Sequence, residues 1–117
     1  MVGILAMADF RNSEIWNQAR FAVCGILYFT ESWSQRHEYR SLAKNIEHLS
    51  VSVLDNIAKG CEATSDRNFL NRAANTIDEL EKELGRVRRT GALDNLDFAH
   101  LKKNLESVKR SLKNLDL

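Results

Sequence analysis

The sequence predicts an all-α fold, an antiparallel up-down-up-down four-helix bundle. Apolar residues recur in alternating steps of three and four along four successive segments, the period that gathers side chains on one face of a helix. The 117 residues contain no proline and only five glycines, and 44% are hydrophobic, a composition that favours long uninterrupted helices over a turn-rich sheet protein. The breaks between segments, near residues 34, 63 and 92, are short, and short connections make consecutive helices antiparallel neighbours. A chain of this length supports one core, so residues 1–117 are read as one domain.

An apolar arm, residues 1–11, precedes the first helix. It has no basic leading segment and its apolar run is short for a secretory signal, so it is read as a docking arm. The first helix, about 13–33, starts at the N-cap candidate Ser13 and carries Ile15, Ala19, Ala22, Ile26, Phe29 and Trp33, with Trp16, Val23 and Leu27 widening the stripe. The second, about 36–62, follows Tyr39, Leu42, Ile46, Leu49, Val53 and Ile57, with Gly60 in its last turn or at a close backbone approach. Ser65 and Asp66 provide a cap and a favourable charge for the third, about 66–90, whose stripe is Leu70, Ala73, Ile77, Leu80, Leu84 and Val87. Arg86, Arg88 and Arg89 suit the negative end of that helix, and Gly91 stops it. Asp94 or Asn95 caps the fourth, about 95–115, built on Phe98, Leu101, Leu105, Val108, Leu112 and Leu115.

Several function classes find little support. Asp97 and His100 form one Asp-x-x-His, whereas a bundle metal centre uses two Glu-x-x-His motifs with further inward carboxylates; no metal or cofactor is expected. His37 and His48 lack a partner at ligand spacing, and Cys24 and Cys61 read as reduced, small apolar side chains. No nucleophile elbow or phosphate-binding glycine loop is present, so the protein is read as a non-enzyme. No run approaches the roughly 18 apolar residues of a membrane span, and the expected location is the cytoplasm.

Charge is more informative. The whole chain carries 17 basic and 16 acidic residues, too even for a globally basic nucleic-acid-binding protein. From residue 86 to 113, however, eight basic residues stand against three acidic ones, a local excess of five. Arg86, Arg88, Arg89, Lys102 and Lys103 are therefore candidate phosphate-binding residues, brought near one another by the antiparallel turn at Gly91. The bland alternative is a solvated face with helical ion pairs such as Asp78–Lys82, Glu83–Arg86 and Glu106–Arg110, each contributing about 0.2–0.5 kcal/mol.

The most unusual stretch is Ser50-Val-Ser-Val-Leu-Asp-Asn-Ile-Ala-Lys-Gly60, where polar residues sit beside an apolar stripe. Ser52, Asn56 and Gly60 follow at steps of four, and small or amide side chains there would let another helix approach closely. The segment Ser52-Val-Leu-Asp-Asn-Ile57-Ala-Lys-Gly60 resembles the Ser-Ile-Pro-Ser-Asn-Ile-Ala-Glu-Gly of a bacterial four-helix-bundle family. That family includes proteins encoded in intervening sequences of 23S ribosomal RNA genes and accessory variability proteins of diversity-generating retroelements. Phe10-Arg11, Ile15-Trp16, Ala19, Tyr28, Thr30, Tyr39, Leu42, Ser65-Asp66, Phe69, Ala74, Glu79-Leu80-Glu81 and Gly91-Ala-Leu93 extend the similarity in order. Leu54 replaces the usual proline, Lys59 the usual glutamate, and Cys61-Glu-Ala-Thr the usual polar turn.

The resemblance implies a homopentamer, with Trp16, Ser52, Asn56, Ile57 and Gly60 as packing residues. It further implies an oligomeric scaffold that binds RNA, DNA or a nucleic-acid enzyme such as a reverse transcriptase. The competing reading is a protein–protein interaction scaffold with no nucleic-acid role, its apolar grooves receiving a partner helix.

Overall fold

The computed structural model describes residues 13–61 and 67–115. The arm at 1–11 and the Ser65–Asp66 cap lie outside them. Four α-helices account for nearly all of the described chain, and no strand occurs among the described residues. They are α1 (Glu14–Ser34), α2 (Arg40–Gly60), α3 (Arg67–Thr90) and α4 (Asn95–Asn114). None is long and apolar enough to cross a membrane.

The ends show why the helices start and stop where they do. Ser13 Oγ accepts from the Trp16 amide at 3.2 Å, and an Asp94 carboxylate oxygen accepts from the Asp97 amide at 2.7 Å, so each satisfies a donor the helix itself cannot. Gly91 ends α3 with φ +87°, a conformation that L side chains rarely adopt. Between α1 and α2 the chain departs from the expected continuous helix. Arg36 is extended, His37–Tyr39 forms one 3₁₀ turn, and α2 starts at Arg40. The tighter turn is held locally, because the Arg36 guanidinium pairs with Glu38 at 3.0 Å and lies 4.6 Å from the centre of the Tyr39 ring.

Each helix packs on two others, α1 on α2 and α4, and α3 on α2 and α4. Contacts along α4 show that it runs antiparallel to both of its neighbours. Against α1, Ser111 donates to Gln18 at 2.9 Å, Leu101 touches Gly25, and the Trp33 indole donates to Ala92 O at 3.3 Å just before α4. Against α3, Phe98 lies beside Gly85, Lys109 binds Asp78 at 2.8 Å, and Arg67 donates to the carbonyls of Leu112 and Leu115. Arg67 thereby ties the start of α3 to the open C-terminal carbonyls of α4.

The interior is apolar, with Ile26, Ile46, Ile57, Leu70, Ile77, Leu80, Leu84, Leu105 and Leu112 wholly enclosed. On α2 the buried line is Ala43, Ile46, Ser50, Val53, Ile57 and Gly60; Ile46, Val53 and Ile57 are as expected, while Ala43 and Ser50 take the core positions expected of their neighbours Leu42 and Leu49, which with Tyr39 are half-buried. Ala43, Ser50 and Gly60 are small, and α2 makes its most extensive contacts with α3. The polarity of this helix is thus split between two places. Ser50 occupies a core position and its Oγ finds no hydrogen-bond partner among the described residues. Asn56, half-buried, donates to the Ser52 carbonyl at 2.9 Å and to its Oγ at 3.2 Å, within the same helix. Ser52 and Gly60 are not on one line, since each step of four turns the direction by about 40°.

Because a Cβ at Gly91 would meet nothing within 4 Å, the cost of Gly91→Ala is conformational alone. Urea unfolding of Gly91→Ala should show a loss of about 1 kcal/mol, with Gly91→Asn closer to the parent and Gly91→Val further from it.

Candidate nucleic-acid interface

The five basic residues read from the sequence occupy the end of α3 and the first half of α4, but they do not share one orientation. Arg88 lies on the flank of α3 that meets α4, its guanidinium 4.6 Å from the centre of the Phe98 ring. Phe98 supports that cation on an aromatic face while the guanidinium edge stays open to water. Arg89 folds along the bare backbone at Gly85, with a guanidinium nitrogen 3.7 Å from where a Cβ would stand. Arg86 points to the other side of α3, where it pairs with Glu83 at 3.2 Å. Lys102 sits on the α3 side of α4, and Lys103, one residue on, is turned from it by about 100°. Among the described residues Arg88, Arg89, Lys102 and Lys103 are exposed and make no ion pair.

Further along the same seam the sign of the charge alternates. Asp78 is bound by Lys109 of α4 rather than by Lys82 of its own helix, and Glu106 lies 3.6 Å from Lys109 rather than pairing with Arg110. Lys109 is held between two helices and is half-buried, which favours this bridge over the looser pairs within a helix. Its pKa is raised, chiefly by the hydrogen bond to Asp78. The neighbouring Glu81 has one carboxyl oxygen, Oε1, shut off from solvent without a partner. Its pKa rises to about 7, first because burial disfavours the charge and then because the Glu106 carboxylate repels it; Lys109 and Lys102 act in the opposite direction. Sequence spacing could not pair Glu81 with Glu106, since only the register of α3 on α4 brings them together.

A second surface lies on the other side of α4. Phe21 and Tyr28, 67% and 76% exposed, project from α1 on the same outer stripe as the exposed thiol of Cys24. With Gly25, Phe29, His100, Leu101 and Asn104 they line an open, mainly apolar groove of about 410 Å³ between α1 and α4. Trp33, by contrast, is 2% exposed and spent inside the bundle, while Trp16 is half-buried against the core. Among the described residues no group of three His, Cys, Asp or Glu side chains stands close enough together to hold a metal ion.

The structure therefore defines a four-helix all-α protein whose distinctive chemistry lies on two outer surfaces, one cationic to mixed in charge and one apolar. The sequence profile of the 23S rRNA-intervening sequence protein family matches residues 11–114, and the chain belongs to that family. No curated protein and no solved structure matches the chain.

Because folding raises the Glu81 pKa from the ordinary 4.5 to about 7, the folded protein keeps a proton that the unfolded chain has already released between those values. The stability linked to this group is full below pH 4.5 and falls as the pH rises to about 7. Thermal unfolding followed from pH 4.5 to 8 should show this decline in the parent protein and a shallower one in Glu81→Gln, which cannot ionise.

Proposed function

We propose that this protein is a non-catalytic, cytoplasmic scaffold of several identical subunits that meets nucleic acid through the α3–α4 face. The observation that carries this reading is that Arg88, Arg89, Lys102 and Lys103 are exposed without carboxylate partners, while Arg86 and Lys109 are already engaged. Cations left free in this way suit phosphate oxygens and supply affinity without sequence preference. The Arg88–Phe98 stack presents its guanidinium with little conformational freedom left to lose, which favours a phosphate contact there. RNA, DNA or a nucleic-acid enzyme carrying its substrate, such as a reverse transcriptase, are the partners this surface suits.

Assembly supports the same reading. The family resemblance implies a homopentamer, and the exposed Phe21 and Tyr28 provide the apolar area that a subunit interface uses. Five copies of a modest patch would act together by multivalency, which offsets the small net charge of each chain. The Phe21–Tyr28 groove also favours a second reading, a scaffold that receives a protein helix and has no nucleic-acid role.

Titration with a mixed-sequence duplex and with a structured RNA at low and near-physiological salt separates these readings. Binding should weaken steeply with salt, and Arg88→Glu with Lys102→Glu should flatten the log–log salt slope by about one for each phosphate no longer neutralised. Absence of binding at low salt would leave the protein-scaffold reading. In sedimentation the unaltered protein should run as a pentamer at micromolar concentration, and Phe21→Ser with Tyr28→Ser should shift it to smaller species. A monomer mass for the unaltered protein would remove the assembly reading.

A further inference from the structure

The Glu81–Glu106 pair is more than an incidental clash of charges, because of where it sits. Glu81 projects from α3 toward α4 with Oε1 removed from water and without a hydrogen-bond partner. The Lys109–Asp78 contact at 2.8 Å and the approach of Phe98 to Gly85 fix the register of the antiparallel α4 on α3, which sets Glu81 across from the turn that carries Lys102 and Glu106, and these with Lys109 are the charged groups that act on it. Asp78, one turn earlier on α3, is taken by Lys109 at 2.8 Å, and Lys109 also lies 3.6 Å from Glu106. Two ammonium groups, Lys109 and Lys102, thus face three carboxyl groups. Were all three ionised, the seam would hold one negative charge with no counterpart beside the shielded Oε1 of Glu81. A proton held between Glu81 and Glu106 removes that charge and would give the shielded Oε1 the partner it lacks.

We infer that Glu81 and Glu106 share a single proton across the α3–α4 seam, and that its gain and loss switches the charge of the adjoining cationic face beside Lys102. The switch rests on the geometry of the seam; its consequence for a polyanion rests on the nucleic-acid reading above. With the proton in place the face that carries Lys102, Arg88 and Arg89 loses an opposing negative charge, so a phosphate backbone is held more tightly. When the proton leaves, Lys102 is drawn toward the newly ionised carboxylate and the phosphate site is weakened. The proton balance is simple, with one proton taken from water on binding and returned on release. The pair responds near neutrality because burial and mutual repulsion hold the Glu81 proton to about pH 7.

The test uses the full-length protein with uniform carbon-13 labelling and a mixed-sequence DNA duplex as probe, at constant ionic strength from pH 5.5 to 8.0. The Glu81 carboxyl carbon should titrate with a midpoint near 7 in the parent, and the midpoint should fall in Glu106→Gln, where the repelling charge is gone. Duplex affinity should rise as pH falls, and Glu81→Gln should bind about fivefold more tightly than the parent at pH 8.0 but equally at pH 5.5, the scale of one unit charge a few ångströms from a phosphate. Parent and Glu81→Gln differ at this one side chain, so the difference between the two curves isolates the glutamate. A Glu81 midpoint near 4.5 overturns the shared proton. A raised midpoint with identical affinity curves for parent and Glu81→Gln overturns the switch. Failure of every form to bind duplex at any pH defeats the nucleic-acid reading instead, and the carbon titration then decides the shared proton by itself.

Discussion

Helix α4 has to fit two neighbours at once, and the rest of the molecule depends on that fit. Leu101, Leu105, Val108 and Leu112 close the core, while one flank carries Leu101 and Ser111 to Gly25 and Gln18 of α1 and the other carries Phe98 and Lys109 to Gly85 and Asp78 of α3. A shift of α4 by one turn, about 5.4 Å, would break both sets together. Gly25 and Gly85 mark the places where a side chain of α4 comes close to the backbone of a neighbour, with Leu101 only 3.4 Å from where a Cβ at Gly25 would stand. The ends are tied as well, by the Trp33 indole at Ala92 and by Arg67 at the last carbonyls of α4.

The surface chemistry follows from that register. Arg88 meets an aromatic ring only because Phe98 is opposite, and Lys109 reaches Asp78 only because α4 lies at this height on α3. The same placement sets Glu81 against Glu106, a pairing that costs stability at neutral pH. Such a cost is unusual on a surface that has ordinary alternatives, since a glutamine at either position would remove it. The cationic and apolar faces lie on opposite flanks of α4, so assembly through one leaves the other open to a partner.

Much of the architecture is legible in the sequence because helical periodicity is a local signal. The stripes on α1, α3 and α4 correspond closely to the buried residues, and Ser13, Asp94 and Gly91 mark real boundaries. On α2 Ile46, Val53 and Ile57 are buried as expected, but at two positions the core takes the small Ala43 and Ser50 in place of the large Leu42 and Leu49 beside them. Size is a poor guide to burial there, because close helix packing rewards the smaller residue. The 3₁₀ turn at His37–Tyr39 escapes a sequence reading because its supports, Arg36 with Glu38 and Tyr39, are side-chain contacts without a spacing signature. At the candidate site the residue types are visible in the sequence but their directions are not. Spacing groups Arg86 with Lys102 although Arg86 turns away to Glu83, and Lys109, one more cation by composition, is a bridge between helices. Glu81 and Arg67 give no signal at all, since their partners lie on another helix.

The most direct test of this account is a search for short proton–proton contacts in the native protein by nuclear Overhauser spectroscopy. One species should show both the Leu101 methyls against the Gly25 α-protons and the Phe98 ring against the Gly85 α-protons. Finding Leu105 at Gly25 instead, or finding the two contacts in separate species, would contradict the single register of α4 from which the core, the seam and both outer faces follow.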